Sequence, residues 1–189
     1  MIVSISGAPG SGKSTVAEKL AKKLGWPNYY IGEIRRKKAK SVGMTLAEYN
    51  KFAETNPKTD LDVDKYQAQL GKEKDNFIIQ GRTSWFFIPH SLKIFVDVNK
   101  TVGAERVSKQ LAGKNKRNEG NNLLTIKDIK KSHAERMACD KKRYKKYYGI
   151  TNAFDKRHFN YVVDTTNLNP EQVFAKVYSF IKKKLKTKR

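Results

Sequence analysis

Residues 2–15 read Ile2-Val3-Ser4-Ile5-Ser6-Gly7-Ala8-Pro9-Gly10-Ser11-Gly12-Lys13-Ser14-Thr15, and the fold can be reasoned outward from this stretch. The run from Gly7 to Ser14 is a glycine, four intervening residues, a glycine, a lysine and a serine. Glycines let the backbone turn tightly and aim successive N–H donors inward, and a helix that follows offers its positive dipole end to an anion. Such a loop needs a strand before it and a helix after it. Ile2, Val3 and Ile5 supply a short apolar run, and Val16, Leu20, Ala21 and Leu24 recur at helical spacing until Gly25. The stretch therefore predicts a cradle for a nucleoside triphosphate. Lys13 reaches the β- and γ-phosphates, and the Ser14 hydroxyl ligates Mg²⁺.

Beyond the loop, Tyr29-Tyr30-Ile31 is a short strand candidate, and a very basic helix runs from Gly32 to near Gly43. Thr45 and Glu48 form a capping box for a helix from Leu46 to about Thr55, where Asn56-Pro57 breaks it. A helix from near Asp60 to Gly71 carries Tyr66 and Leu70. Phe77-Ile78-Ile79 and Leu92-Lys93-Ile94-Phe95-Val96 are nearly continuous apolar runs, as strands buried on both faces of a parallel sheet read. Residues 101–114 read as a helix and residues 116–122 as a polar loop. Thr125 and Asp128 cap a long basic helix ending at Gly149, Tyr161-Val162-Val163 is a last strand, and Asn169-Pro170-Glu171 starts a last helix. Strands alternating with helices predict an α/β domain with a doubly wound parallel sheet of about five strands, its ligands at the carboxyl ends of the strands. The helical excursions at about 32–75 and 113–149 are too long for simple crossovers and are candidate moving parts within a single domain spanning 1–189.

At 189 residues the chain is long enough to bury a real core. The single cysteine, Cys139, excludes an intrachain disulfide, and no apolar stretch approaches the ~20 residues of a membrane span. The amino terminus enters the first strand at once, so no signal peptide is expected, and the chain reads as soluble and cytoplasmic. With 40 basic against 18 acidic residues the formal net charge is +22. That field draws in polyanions, nucleotides and nucleic acid alike, and makes association salt-sensitive. Much of the excess sits at 35–40, 114–146 and 182–189. Solvated lysine-rich helix faces account for such runs, with nonspecific nucleic-acid binding as the alternative.

Phosphoryl transfer requires the donor held, the acceptor aligned and the charge on the transferred group neutralised. Arginines stand at the right places in the alternation: Arg35 and Arg36 after the second strand, Arg82 after the third, Arg106 after the fourth, and Arg136 and Arg143 on the long helix. Arg82 leaves the sheet at the same edge as the phosphate loop, where a planar fork grips a second phosphate. Arg136 and Arg143 are seven apart and share one helix face, which allows both to swing onto phosphates when that segment closes. Cytosine displays an exocyclic amino donor that a carboxylate reads, and Asp60 and Asp64 lie in the first excursion.

In nearly its whole length the chain resembles the nucleoside monophosphate kinases, most closely the short archaeal-type cytidylate kinases. The resemblance rests on the loop from Ile5 to Thr15, on Gly32-Glu33-Ile34-Arg35-Arg36, on Gly43-Met44-Thr45-Leu46-Ala47-Glu48-Tyr49 and on Asn56-Pro57-Lys58-Thr59-Asp60 with Asp64. It continues through Gly81-Arg82, Lys93-Ile94-Phe95-Val96-Asp97, Arg106-Val107, the run from Arg143 to Ile150 and Tyr161-Val162-Val163-Asp164-Thr165-Thr166. The resemblance implies a monophosphate-binding insertion near 32–75 and an arginine-bearing lid within 113–149. It implies that Gly7, Ala8, Pro9, Gly10, Ser11, Gly12, Lys13, Ser14 and Thr15 bind ATP with Arg106 against the donor nucleotide, while the loop at 165–169 passes near the adenine. Arg36 with Arg82 would bind the acceptor phosphate, Asp60 and Asp64 lie on the acceptor side, and Lys13, Arg136 and Arg143 would supply transition-state charge. Whether Arg35 or Arg36 faces inward stays open.

Two departures stand out. Gln80 occupies the place of an acidic residue that orients Mg²⁺-bound water, and Gln110 that of a second lid arginine. His90, His133 and His158 are too far apart to form a ligand-spaced group. The reading is a monomeric enzyme that moves the γ-phosphate of ATP to CMP or dCMP. Its rivals change the acceptor to AMP, UMP or a polynucleotide 5′-hydroxyl, or make the loop a nucleotide sensor on a non-catalytic RNA-binding protein.

Overall fold

A computed structural model describes residues 1–112 and 125–187. Its centre is a five-stranded, all-parallel sheet in the order β2-β3-β1-β4-β5, with β1 at Ile2–Gly7, β2 at Asn28–Tyr30, β3 at Phe77–Gln80, β4 at Leu92–Asp97 and β5 at Tyr161–Asp164. Around it lie α1 (Lys13–Leu24), α2 (Ile31–Ser41), α3 (Leu46–Phe52), α4 (Lys58–Glu73), α5 (Ser84–Phe87), α6 (Lys100–Leu111), α7 (Ile126–Tyr148) and α8 (Pro170–Lys186). The doubly wound parallel sheet is thus the architecture the alternation calls for.

Alternation of side chains along the strands divides the core in two. On one face Val3, Ile5, Ile78, Ile94, Val96 and Val163 pack against Val16 and Leu20 of α1 and Val173, Val177 and Ile181 of α8. On the other, Ile2, Phe77 and Ile79 meet Ile31, Val63, Leu70 and Ile88. β1 and β3 are buried along their whole length because helices cover both faces, which explains the nearly continuous apolar run of β3. Ala104 and Val107 of α6 bury against Ile129 of α7, fixing the long basic helix to the rest.

Local signals account for most boundaries. Thr45, Thr125 and Asn169 close reciprocal capping boxes with Glu48, Asp128 and Gln172. Gly25 and Gly149 end α1 and α7 in the left-handed conformation. Some boundaries differ from expectation. Ile31 opens α2 instead of closing β2, and Asn56-Pro57 leads into an α4 that starts two residues ahead of Asp60. β3 reaches β4 through a single helical turn. The helix expected at 101–114 ends at Leu111. Residues 113–114, the loop at 116–122 and the start of the second excursion lie outside the described residues.

Register sets the site. Ile5 pairs with Gln80, Gly7 with Val96 and Asp97 with Asp164. The phosphate loop, the Gln80-Gly81-Arg82 exit and the loop after β5 therefore emerge together at the carboxyl edge. No helix among the described residues is long and apolar enough to cross a membrane.

Candidate active site

A cleft of about 470 Å³ opens at that edge. Its floor is the phosphate loop. Gly7 (φ 151°) and Gly10 (φ 74°) hold backbone conformations that favour glycine. A Cβ on Gly7 would stand 2.0 Å from the Val96 carbonyl oxygen, and one on Gly10 would stand 2.1 Å from that of Gly103. The loop is thus wedged between β4 and α6. Gly12 (φ 84°) caps α1 without a side-chain cap, and the first turn of that helix carries no acid, which leaves the positive end of its dipole to an anion. Lys13 Nζ reaches back across the loop and donates to the Gly7 and Ala8 carbonyls, both at 2.8 Å.

A second group of residues gathers around Thr165. Arg106 Nη1 donates to Thr165 Oγ1 (3.0 Å) and Nη2 to the Thr165 carbonyl (2.7 Å). The Thr165 hydroxyl in turn donates to the Asp97 carbonyl at 2.9 Å and lies 3.2 Å from that of Ser11. Arg106 thereby ties the 165–168 loop to the phosphate loop, and it lines the cleft with Leu168 and Gln110. The sequence named Thr165 only within the run 161–166 and the loop at 165–169; that its side chain anchors Arg106 carried no signal of its own.

Opposite, α2 presents both of its arginines to the cleft, at different ends. Arg36 Nη1 donates to the Tyr30 hydroxyl at 2.9 Å while its guanidinium lies over the Tyr30 ring at 5.4 Å. Arg35 points toward α3 and α4, where Nε donates to Asn50 Oδ1 (2.8 Å), Nη1 pairs with Asp60, and Nη2 is buried without a hydrogen-bond partner among the described residues. Arg82 pairs with Asp140 of α7 and lies over the Phe154 ring. Arg136 also reaches the cleft from α7.

Arg143 does not line that cleft. Its side chain is 1% exposed, Nη1 is paired with Asp60 and Nη2 with Asp140, and the guanidinium covers the Tyr144 ring. Seven residues do place Arg136 and Arg143 near one meridian of α7, but the helix dips into the body at its carboxyl end, so only the first keeps access to the cleft. Of the two arginines expected to swing onto phosphates, the structure places Arg136 at the cleft and Arg143 between Asp60 and Asp140. Asp60 is likewise not a solitary reader: two arginines hold its carboxylate.

Asp64 sits one helical turn on. It accepts from Gln67 Nε2 at 2.8 Å and from the Tyr148 hydroxyl. Burial pushes its carboxyl up to about 6, against the pull of the Tyr148 bond. Tyr148 is pushed up by burial and by that same carboxylate.

Gln80 is 1% exposed and lines the cleft. Its Nε2 donates to Asn28 Oδ1 at 3.3 Å, which leaves Oε1 as a buried acceptor without a partner among the described residues. An acceptor so placed, together with the Ser14 hydroxyl, suits a cation that keeps most of its waters and takes its other ligands from substrate phosphates. The donor set fits Mg²⁺ in that manner. Among the described residues no group of three or more acids, histidines or cysteines could hold a metal by itself. The histidines stay apart from the site, His158 stacking on Trp85 at 4.1 Å.

Fold and cleft together define a kinase of the phosphate-loop class, with a triphosphate cradle and arginines facing it across one opening. The chain belongs to the cytidylate kinase-like family, whose model matches residues 2–167. The cytidylate kinase of Pyrococcus furiosus is 36% identical over 182 residues, spanning 96% of this chain and 88% of that protein. That of Methanocella arvoryzae is 33% identical over 181 residues, spanning 96% and 97%. Among solved structures, an uncharacterized protein from Eubacterium ventriosum superposes with a TM-score of 0.67 at 18% identity, covering 96% of this chain and 98% of that one. A shikimate kinase from Bacteroides thetaiotaomicron gives 0.64 at 11%, covering 96% and 98%. At such identities the structural likeness speaks for the fold alone.

Proposed function

We propose that this protein transfers the γ-phosphate of ATP to CMP or dCMP, giving ADP and the diphosphate. One observation carries the reading: a single cleft joins a phosphate loop to Arg36, Arg82 and Arg136 from three separate elements. Two anions that repel each other are brought together only where guanidinium groups face a cradle of N–H donors, and that is the arrangement an in-line transfer needs.

The loop amides and Lys13 hold the triphosphate, and Arg106 orders the 165–168 loop beside the donor base. Arg36 and Arg82 take the acceptor phosphate and direct one of its oxygens at the γ-phosphorus. That oxygen forms the new P–O bond as the bond to the β-bridging oxygen breaks, and ADP leaves without a covalent enzyme intermediate. Arg136 faces the transferring group and offsets its spreading charge. Mg²⁺, when bound, screens the β- and γ-phosphates; Ser14 would hold it, with Gln80 Oε1 accepting from one of its waters. Asp140 keeps Arg82 oriented, and Arg143 serves as a strut between Asp140 and Asp60. Residues 32–75 form the acceptor side, and residues 125–149 are the described part of the lid.

The acceptor base lies toward Arg35, Asn50, Asp60 and Asp64. A cytosine edge needs an acceptor for its amino group and a donor for its carbonyl. Asp64 supplies the first and the Arg35 Nη2 hydrogens the second. ADP release measured with ATP, Mg²⁺ and each of CMP, dCMP, UMP and AMP tests the proposal, with an RNA 5′-hydroxyl as a further acceptor. Cytidylates are expected to exceed the others in kcat/KM at least tenfold. Equal turnover of all four removes the base assignment. RNA binding that persists at high salt, without monophosphate-dependent ADP release, overturns the enzymatic reading itself.

A further inference from the structure

Behind the cleft wall, Gln67 of α4 is 0% exposed and does not line the opening, yet it touches Asp64, which does. Its Nε2 donates to Asp64 Oδ1 at 2.8 Å, and its Oε1 accepts from the Ser84 hydroxyl at 2.6 Å. Ser84 opens α5, two residues past Arg82, and is itself buried. Its hydroxyl has room only because residue 81 is glycine: a Cβ there would stand 2.4 Å from Ser84 Oγ. The other Asp64 oxygen, Oδ2, accepts from the Tyr148 hydroxyl. Burial and that carboxylate push the Tyr148 phenol up, so it keeps its proton and stays a donor. An amide can present either its carbonyl or its amino group to a neighbour. Ser84 decides which. A hydroxyl has one proton, and Ser84 gives it to the Gln67 carbonyl, which turns the amino group toward Asp64. Reversing the amide would set two acceptor oxygens against each other across 2.8 Å and leave buried groups without their partners. Protein donors thus meet both oxygens of Asp64, and the lone pairs left over remain acceptors for a ligand in the cleft.

Resting on the kinase reading above, with Asp64 as its base reader, we propose that Gln67 is a positioning residue: oriented by Ser84, it holds Asp64 as an acceptor and so sets the preference for a cytosine over a uracil edge. Cytosine offers an amino group where uracil offers a carbonyl oxygen. A carboxylate that already accepts from Gln67 and Tyr148 also accepts from the amino group and repels the carbonyl. To receive uracil it must take a proton, and hydrogen bonds to the charged form oppose that. Discrimination by rejection of the wrong partner is thereby built partly behind the surface that the base touches, on the same turn that delivers Arg82 to the acceptor phosphate.

The test measures kcat and KM for CMP and UMP in full-length protein carrying Gln67→Met, which removes the amide, or Ser84→Ala, which frees it to turn. Each is expected to lower the ratio of kcat/KM for CMP to that for UMP about tenfold, the effect of one hydrogen bond to a charged group. The change should enter through a raised KM for CMP, with kcat for CMP and the KM for ATP within about threefold of wild type. A role in packing alone would weaken both pyrimidines alike and leave the ratio where it was. Ser84→Ala removes a single oxygen, so it reads the proposal even where Gln67→Met fails to fold. Asp64→Asn is the second arm. It is expected to lower the ratio by itself, and adding Ser84→Ala or Gln67→Met should lower it no further, since the effect passes through the carboxylate. An unchanged ratio in Ser84→Ala or in folded Gln67→Met, or a ratio that falls by the same factor again in the Asp64→Asn background, overturns the inference. Asp64→Asn with wild-type discrimination defeats the base assignment, and wild-type protein that turns over no monophosphate defeats the kinase reading. A failure at Gln67 alone is told apart from both, because it leaves the Asp64→Asn effect and wild-type turnover intact.

Discussion

Replacing Arg143 by Met decides between two roles for an arginine that sequence alone would send to the phosphates. In the structure this side chain is 1% exposed and bridges Asp60 and Asp140. Breaking a buried ion pair by removing one partner costs roughly 3–5 kcal/mol, because the remaining charge is left uncompensated. Arg35 still pairs with Asp60 and Arg82 with Asp140, which places the expected cost at the lower end, about 3 kcal/mol. Met preserves most of the aliphatic stem, so little apolar burial is lost with the charge. For a domain of this size each kcal/mol moves the melting temperature by roughly 2–4 °C, so Arg143→Met is expected to melt about 6–12 °C below wild type.

Arg136→Met is the matched control, since it lies on the same helix but opens to the cleft. It is expected to lose about a hundredfold or more in kcat, in line with arginines that neutralise a transferring phosphoryl group, while melting within about 2 °C of wild type. Thermal denaturation followed by circular dichroism, with kcat measured at a temperature where both variants are folded, separates the cases. If Arg143→Met melts with wild type and loses kcat as Arg136→Met does, Arg143 is a phosphate ligand and the strut assignment is wrong.

Lys13→Ala should abolish nearly all turnover while the fold persists; a purified variant retaining more than a tenth of wild-type rate would show that this ammonium is not the clamp on the triphosphate. Gly10→Ala must move backbone, because the new Cβ meets the Gly103 carbonyl; a loss of about 2–4 kcal/mol and at least tenfold weaker ATP binding are expected, and near-normal binding by calorimetry would contradict the wedged loop. Gln80→Glu puts a charge in the cleft that Ser14 also lines and should leave activity unchanged or raise it; a tenfold loss at saturating Mg²⁺ would refute the placement of this amide. Asp64 binds its proton up to about pH 6 in the native state, against about 4 when unfolded, so the stability that proton confers is full below about pH 4 and is lost as pH rises through 6. Asp64→Asn, which stays neutral, should therefore gain about 2–3 kcal/mol over wild type at pH 7.5 and little at pH 4. The same titration should make wild-type kcat/KM for CMP fall below about pH 6, as the carboxylate that accepts from the amino group is lost; a flat profile from pH 5 to 8 removes Asp64 from base recognition.

What the sequence made legible and what it hid divide along a physical line. The phosphate loop, the buried strands and the capped helices are local: each follows from glycine conformations, period or a capping side chain within a few residues, and the sheet order then gathers the strand exits. Gln80 and Arg82 could be placed at the cleft because Gln80 ends β3 and Arg82 stands two residues beyond it, and the register of β3 with β1 leaves little freedom. Arg143 could not, since period alone puts it beside Arg136. The carboxyl end of α7 is drawn inward by Asp60 of α4, which holds Arg143, and by Trp85, which packs with Tyr144 and Ile150; both Asp60 and Trp85 stand more than 50 residues away in the chain. Asn28 and Tyr30 carried no motif at all, Thr165 only its place in a run shared with a family, and each matters only through a partner from another element.

The pair Arg35 and Arg36 shows the limit most clearly. Adjacent helical residues point about 100° apart, so a sequence can say that they differ in direction but not which direction holds the phosphate. Charge does not discriminate between them, and both line the cleft. Their partners do. Arg35 has an acid and an amide, Asp60 and Asn50, which partly neutralise it and turn its remaining hydrogens into a directional donor pair for a neutral base edge. Arg36 has a neutral phenol that does not offset its positive charge, and it shares the cleft with the phosphate loop, which suits an anion. Swapping the two demands makes an expected contrast: Arg35→Lys should relax discrimination between CMP and UMP with kcat for CMP largely retained, whereas Arg36→Lys should raise the KM of every monophosphate alike, since an ammonium supplies the charge without the planar fork. Steady-state kinetics on the four acceptors decides it, and a reversed pattern would assign the phosphate to Arg35 and the base to Arg36.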